Sequence, residues 1–283
     1  MNFMRTALVS TLLVLAAGPV PVAASSWMIV DDNTGHVLAA SGQNEKRQIA
    51  SLTKIATAMV VLDWAEASGT SLSTLVSVPS EVSGVGGVNP CQLQPGDQVS
   101  LRDLLYSAMM SSDNHAAYTL AQNVGARLPN PQALSPVDNF AAHMNALARK
   151  LGMKRSLFLN PHGLDSLSPP PHSTAADLAR LTRYAYSHAG FNFYVSQPTR
   201  EISIQGVDGT TRGFLLRNTN ELLGRDGIEG VKTGRTRLAG DCIVLAADRE
   251  PEPWSATGKR LPSRGASSSC CSGRQTVFPR ASP

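Results

Sequence analysis

Strand signals at both ends of this chain, with a block of helical signals between them, constrain its fold more than any other feature. Apolar stretches at 27–30 and 36–40 flank the turn-like Asp31-Asp32-Asn33-Thr34-Gly35 and predict a β-hairpin. Strand patterns return only at 201–205, 230–236 and 241–247. Between them the periodicity predicts helices at 51–67 (closed by Gly69), 101–110, 114–124, 141–151 and 174–188. In the last of these, Asp177 precedes Arg180, Arg183 and His188, the charge order that a helix dipole favours. A chain ordered in this way assembles one sheet from sequence-distant strands and covers it with helices. The expected class is α+β, a three-layer αβα fold.

The N-terminus adds an address. Arg5, the apolar run at 7–17 and the small residues Val22-Ala23-Ala24 make residues 1–24 a secretory signal peptide. The protein is therefore expected to be exported, to the periplasm or cell envelope. With 42% hydrophobic and 16% charged residues the remainder can bury a core, and residues 25–250 are read as one folded domain. The formal charge of +4 does not imply a nucleic-acid partner. Lys259, Arg260, Arg264, Arg274 and Arg280 sit in residues 254–283, which hold no acid, and residues 1–253 are slightly acidic. Cys91 and Cys242 lie in the body. Export permits a disulfide between them, but spacing alone does not bring them within bridging distance, so free thiols are expected.

Residues 251–283 break the pattern. They are rich in Pro, Ser and Arg without apolar periodicity, and are expected to be disordered. Back-translated with GC-rich codons and read out of frame, residues 265–273 give Arg-Ile-Val-Val-Val-Leu-Leu-Gly, a buried-strand sequence. A frameshift upstream of residue 265 is the expectation, with the last strand of the sheet missing and an edge left open to aggregation.

Three short motifs carry chemistry: Ser51-Leu52-Thr53-Lys54, Ser112-Asp113-Asn114 and Lys232-Thr233-Gly234. Ser51 and Lys54 are one helical turn apart and share a face. Serine needs an adjacent base, and a lysine serves only when its amine is neutral. The apolar flanks of Lys54 and the charge of Lys232 both push its pKa down. The start of the helix leaves backbone N–H groups free, including that of Ser51, to meet an oxyanion. Ser112-Asp113-Asn114 falls at a helix junction, where short polar side chains face a cleft or cap the next helix. Lys232 and Thr233, on a strand, offer a cation and a hydroxyl to a carboxylate, and Gly234 admits a close backbone.

In this order and spacing the motifs resemble those of the serine D-alanyl-D-alanine carboxypeptidases, the low-molecular-mass penicillin-binding proteins. Leu93-Gln94-Pro95-Gly96-Asp97, Leu151-Gly152-Met153, residues 160–165 and Asn218-Thr219-Asn220 match as well, so the resemblance runs over roughly residues 25–249. It implies a β-lactamase/transpeptidase-like antiparallel sheet covered by helices, with an all-helical lobe. It also implies catalytic roles for Ser51 (nucleophile), Lys54 (base) and Ser112 (proton relay). Asn114, Lys232, Thr233, Gly234 and Arg235 would bind substrate, the last supplying an oxyanion N–H and a guanidinium. The implied activity is removal of the terminal D-alanine from peptidoglycan stem pentapeptides, with β-lactams as inhibitors, no cofactor and no metal. The six histidines lack metal-ligand spacing, and His162 is expected to order its loop. No Glu-x-x-x-Asn occurs between 150 and 171, which sets a class A-like β-lactamase second. A non-catalytic, truncated binder of peptidoglycan or β-lactam is the alternative from another class. No membrane anchor is recognisable in the sequence.

Overall fold

A computed structural model describes residues 26–165, 167–249 and 273–277. The hairpin forms as expected, from β1 (Trp27–Asp31) and β2 (Val37–Ser41). Its turn is held by the Asp31 carboxylate, which accepts from the Thr34 amide at 2.7 Å and the Thr34 hydroxyl at 2.6 Å. A 3-10 turn, Ala50–Leu52, leads into α1 (Thr53–Ser68), which ends at Gly69 in the left-handed region with φ 66°. Every α1 residue from Thr53 to Leu62 is buried. A helix apolar on all sides belongs in a core, and α1 is the central post of this one.

The remaining helices are α2 (Leu101–Met110), α3 (Asn114–Gly125), α4 (Pro136–Lys150) and α5 (Ala175–Ser187). Ser100, Asp113, Ser135 and Thr174 cap them, each side chain accepting from a backbone amide three residues on. Each cap contributes about 1 kcal/mol. α4 starts earlier than the periodicity predicted because Pro136 sits at its opening, where a missing N–H costs nothing. α5 packs against α1 and β1, while α2, α3 and α4 surround the other sides of α1 and form the helical lobe.

The later strands are β5 (Thr199–Gln205), β6 (Thr211–Arg217), β7 (Ile228–Thr236), β8 (Gly240–Arg249) and β9 (Gly273–Val277). Two short strands precede them, β3 (Leu75–Ser77) and β4 (Gln98–Ser100). The main sheet has five strands in the order β2-β1-β9-β8-β7, with antiparallel pairing throughout. A second sheet of four strands, β3-β4-β5-β6, lies against α2.

Two expectations are corrected here. There are two sheets rather than one, because three-residue strands such as β3 and β4 are too short to show alternation. The main sheet also does not lack its last strand. Gly273–Val277 lies between β1 and β8, with Ile29 and Leu245 both opposite Val277. Strand pairing is a backbone matter, and a short run without proline satisfies the open N–H and C=O rows on both sides whatever its side chains. That segment of the tail is thus a strand. The signal segment 1–24, residues 250–272 and the proposed frame boundary lie outside the described residues. Cys91 and Cys242 are free thiols. No helix among the described residues is long and apolar enough to cross a membrane.

Candidate active site

The N-terminal end of α1, the α2–α3 junction, the loop at 160–165 and β7 converge on one cleft of about 720 Å³. Ser51, Ser112, Asn114, Thr233, Gly234 and Arg235 all line it. Two of its corners carry backbone strain. Ala50 has φ 46° and Ser112 has φ 62°, both in the left-handed region that non-glycine residues avoid. Each such residue costs on the order of 1–3 kcal/mol and persists only where its surroundings hold it. The first presents Ser51 at the top of α1, and the second turns Ser112 into the cleft.

Lys54 is fully buried beneath Ser51. Its Nζ lies 2.9 Å from Ser51 Oγ, 2.7 Å from Asn114 Oδ1 and 2.9 Å from the carbonyl oxygen of His162. The Asn114 amide is oriented by its other end, where Nδ2 donates to the Gly86 carbonyl at 2.9 Å. Both Asn114 Oδ1 and His162 O are pure acceptors and take two N–H bonds from the amine. In its neutral form the amine has only two N–H bonds, and its lone pair then faces the Ser51 hydroxyl. Burial, and then the charge of Lys232, holds the Lys54 pKa well below the ordinary lysine value, against a smaller opposing pull from Asp113. The geometry and the electrostatics agree: this amine is set up as a base.

The loop at 160–165 fixes the His162 carbonyl. Asn160 Oδ1 accepts from the amides of His162 at 3.2 Å and Gly163 at 2.6 Å, and Asn160 Nδ2 donates to Leu164 O at 2.8 Å. From α1, Thr57 donates to the Pro161 carbonyl at 2.6 Å. The His162 ring is neutral at physiological pH, its pKa pushed down to about 3 by burial and then by the charges of Lys54 and His115. At the far end of the loop, the Asp165 carboxylate accepts from the Thr236 hydroxyl, which ties the loop to β7.

Ser112-Asp113-Asn114 divides its work. Asp113 is buried and does not face the cleft chemistry. It caps α3 through Ala116 N at 3.0 Å and accepts from Ser107 Oγ at 2.9 Å. Burial raises its pKa. Ser112 lines the cleft, and Asn114 reaches Lys54 as described.

On the opposite wall, Lys232 is 1% exposed, and burial alone brings its pKa down to about 7. Its Nζ donates to the Thr233 carbonyl at 2.9 Å. The Thr233 hydroxyl shares a 2.6 Å hydrogen bond with the Thr219 hydroxyl. β7 presses so closely on the 3-10 turn that a Cβ on Gly234 would lie 2.8 Å from the Ser51 nitrogen. The Arg235 guanidinium, expected to help bind a carboxylate, has an acidic partner within the protein. It is paired with both oxygens of Asp241 across the β7–β8 hairpin, Nη2 to Oδ2 at 2.7 Å. Arg235 lines the cleft, and Asp241 holds its guanidinium.

Sequence reasoning did not find Gly87, Thr219 or Asp165. The adjacent glycines Gly86-Gly87 were the one sequence signal, and the structure shows their use: a Cβ on Gly87 would fall 2.1 Å from Asn114 Nδ2. Thr219 and Asp165 carried none beyond lying in matching stretches.

The fold that holds this site is that of the serine DD-peptidases. A Streptomyces DD-transpeptidase mutant superposes with a TM-score of 0.75 at 28% identity, over 93% of this chain and 92% of that one. The chain belongs to the D-alanyl-D-alanine carboxypeptidase family, whose sequence model matches residues 14–255. Among relatives, a D-alanyl-D-alanine endopeptidase of Pseudomonas aeruginosa is 36% identical over 226 residues, 79% of this chain and 67% of that protein. The D-alanyl-D-alanine carboxypeptidase DacC of Escherichia coli is 33% identical over 231 residues, 80% of this chain. The chain spans only 54% of DacC, little more than half its length.

Proposed function

We propose that the chain is an exported, penicillin-sensitive serine carboxypeptidase that removes the terminal D-alanine from peptidoglycan stem peptides. The observation that carries this reading is the fully buried Lys54 amine, 2.9 Å from Ser51 Oγ and held by Asn114 Oδ1 and the His162 carbonyl. Ser51 attacks the carbonyl of the penultimate residue as Lys54 takes its proton. The developing oxyanion meets the backbone N–H groups of Ser51 and Arg235, brought together by the bare Gly234 contact. Protonated Lys232 and Thr233 hold the C-terminal carboxylate, and Asn114 orients the amide behind the scissile bond. Ser112 passes the proton to the departing D-alanine, and water then cleaves the acyl-enzyme with Lys54 again as base.

A β-lactam carries a strained amide beside a carboxylate and enters by the same steps. In the loop at 160–165, the one carboxylate is Asp165, which is engaged by Thr236. No acid of that loop is therefore offered to a deacylating water, which favours slow release over β-lactamase turnover. The test is covalent labelling of the mature chain with a fluorescent penicillin beside Ser51→Ala, followed by D-alanine release from a peptide ending in D-Ala-D-Ala. Labelling that survives Ser51→Ala would remove Ser51 from the mechanism. Rapid penicillin turnover would instead assign the chain to the β-lactamase side.

A further inference from the structure

A second cleft, about 830 Å³ in volume, opens at the other end of α1. Its walls are the C-terminal half of α1, the start of α2, the end of α5 and the 3-10 turn Phe191–Tyr194. It shares no residue with the Ser51 cleft. Lys54 and Glu66 are twelve residues apart on α1, which places the two clefts roughly 18 Å apart along the helix axis at 1.5 Å per residue.

The chemistry of this cleft is mixed in a specific way. Phe193 and the half-buried Tyr184 supply aromatic surface, with Tyr106 and Tyr194 buried behind them. Phe193 is 65% exposed, and among the described residues it is the one aromatic in the set of large apolar side chains left open to solvent. Between these rings stand acceptors and donors. The half-buried Asp63 carboxylate accepts from the Tyr184 hydroxyl at 2.9 Å, and its pKa is raised by burial. Glu66 Oε2 lies 3.2 Å from His188 Nε2, and Arg102 brings a guanidinium to the same space. An ammonium ligand would meet Arg102 as well as the two acids, and a purely apolar ligand would strand all three charges. A pyranose suits the set. Its hydroxyls both donate and accept, so carboxylates and guanidinium are satisfied together, and its C–H faces lie on aromatic rings.

We propose that this cleft is a saccharide-binding site, distinct from the Ser51 cleft, that takes a neutral pyranose oligosaccharide. With α1 between the two clefts, a bound sugar anchors the protein on a glycan polymer without positioning the scissile peptide. The role on a polymer rests on the function proposed above, but the binding itself does not.

The test is calorimetric titration of the mature chain with chitotetraose, beside Phe193→Ala, Phe193→Trp and Asp63→Asn. The expected result is saturable binding that is weakened about tenfold by Phe193→Ala, a ratio worth about 1.4 kcal/mol. Phe193→Trp is expected to keep the affinity, because it keeps the ring face. Since Phe193 is exposed and remote from Ser51, penicillin acylation is expected to be unchanged in Phe193→Ala. That readout separates failure of this site from failure of the catalytic reading. Absence of chitotetraose binding by a protein that still acylates with penicillin overturns the proposal, as does undiminished binding by Phe193→Ala.

Discussion

Gly234 and Ser51 meet through bare backbone: a methyl group on Gly234 would lie 2.8 Å from the Ser51 nitrogen and 3.1 Å from the Ala50 Cβ. The strand that carries Lys232 is thereby set against the turn that presents the nucleophile, and no side chain intervenes. Gly234→Ala must push β7 away from Ser51 or twist the strained Ala50 turn. Misplacing reacting groups by an ångström costs about a hundredfold in rate. Acylation of Gly234→Ala by penicillin, followed by stopped flow, is expected to fall by about that factor while far-UV circular dichroism stays native. Acylation at the original rate would mean that this contact does not set the oxyanion site.

In the proposed mechanism the two buried lysines need opposite protonation states. Lys54 acts unprotonated, so activity rises as pH climbs through its lowered pKa. Lys232 holds a carboxylate only while charged, and in the free protein it loses that charge above about 7. For a peptide with a free C-terminal carboxylate, kcat/KM is therefore expected to follow a bell with its descending limb starting near neutrality. Lys232→Arg keeps a charge that does not titrate in this range, and the descending limb is expected to vanish. A profile with the same alkaline limb in both proteins would assign that limb to another group.

What could be read from the sequence follows from how local the chemistry is. Ser51 and Lys54 lie one helical turn apart, so their partnership is written in four consecutive residues. The contacts that make Lys54 a base are not local. His162 O and Asn114 Oδ1 come from 108 and 60 residues away, and their roles emerge only when loop and junction are packed. The pairing of the Arg235 guanidinium with Asp241 on β8 is likewise not local, because hairpin register chooses it. The central helices showed their periodicity and the hairpin its turn residues. β9 escaped notice because Gly273–Val277 has little apolar content and earns its place through backbone pairing with β1 and β8.

Lys232 also sets a cost in stability. Its pKa lies near 7 in the folded protein and near 10.5 when solvated, so the folded state binds fewer protons between those values. Stability gained from this group therefore rises with pH across that window, and the full penalty of the buried charge applies below about pH 7. Lys232→Met removes the penalty and leaves only the Thr233 carbonyl to find another donor. Its melting temperature is expected to exceed that of the parent below pH 7, with the advantage shrinking as pH rises towards 10. Acylation is expected to be lost at every pH. Thermal scans at pH 6 and pH 9 check the sign, and a smaller advantage at the lower pH would contradict it.

Gly163 supports the same lysine from the other side. It has φ 89°, and a Cβ there would fall 1.9 Å from the Ala50 carbonyl oxygen and 2.8 Å from Thr53 Oγ1. Gly163→Ala thus combines a disfavoured backbone conformation with a clash against the turn before Ser51, and the loop must lift. Lifting it draws the His162 carbonyl away from Lys54 and leaves one N–H of a fully buried amine without an acceptor. An unfavourable backbone state of this kind costs on the order of 1–3 kcal/mol by itself. Both the melting temperature and the penicillin acylation rate are expected to drop in this variant. The pairing distinguishes it from Gly234→Ala, where rate falls with the fold largely intact. A Gly163→Ala protein with the parent's melting temperature would show that the loop reaches Lys54 by a route that does not depend on this close approach.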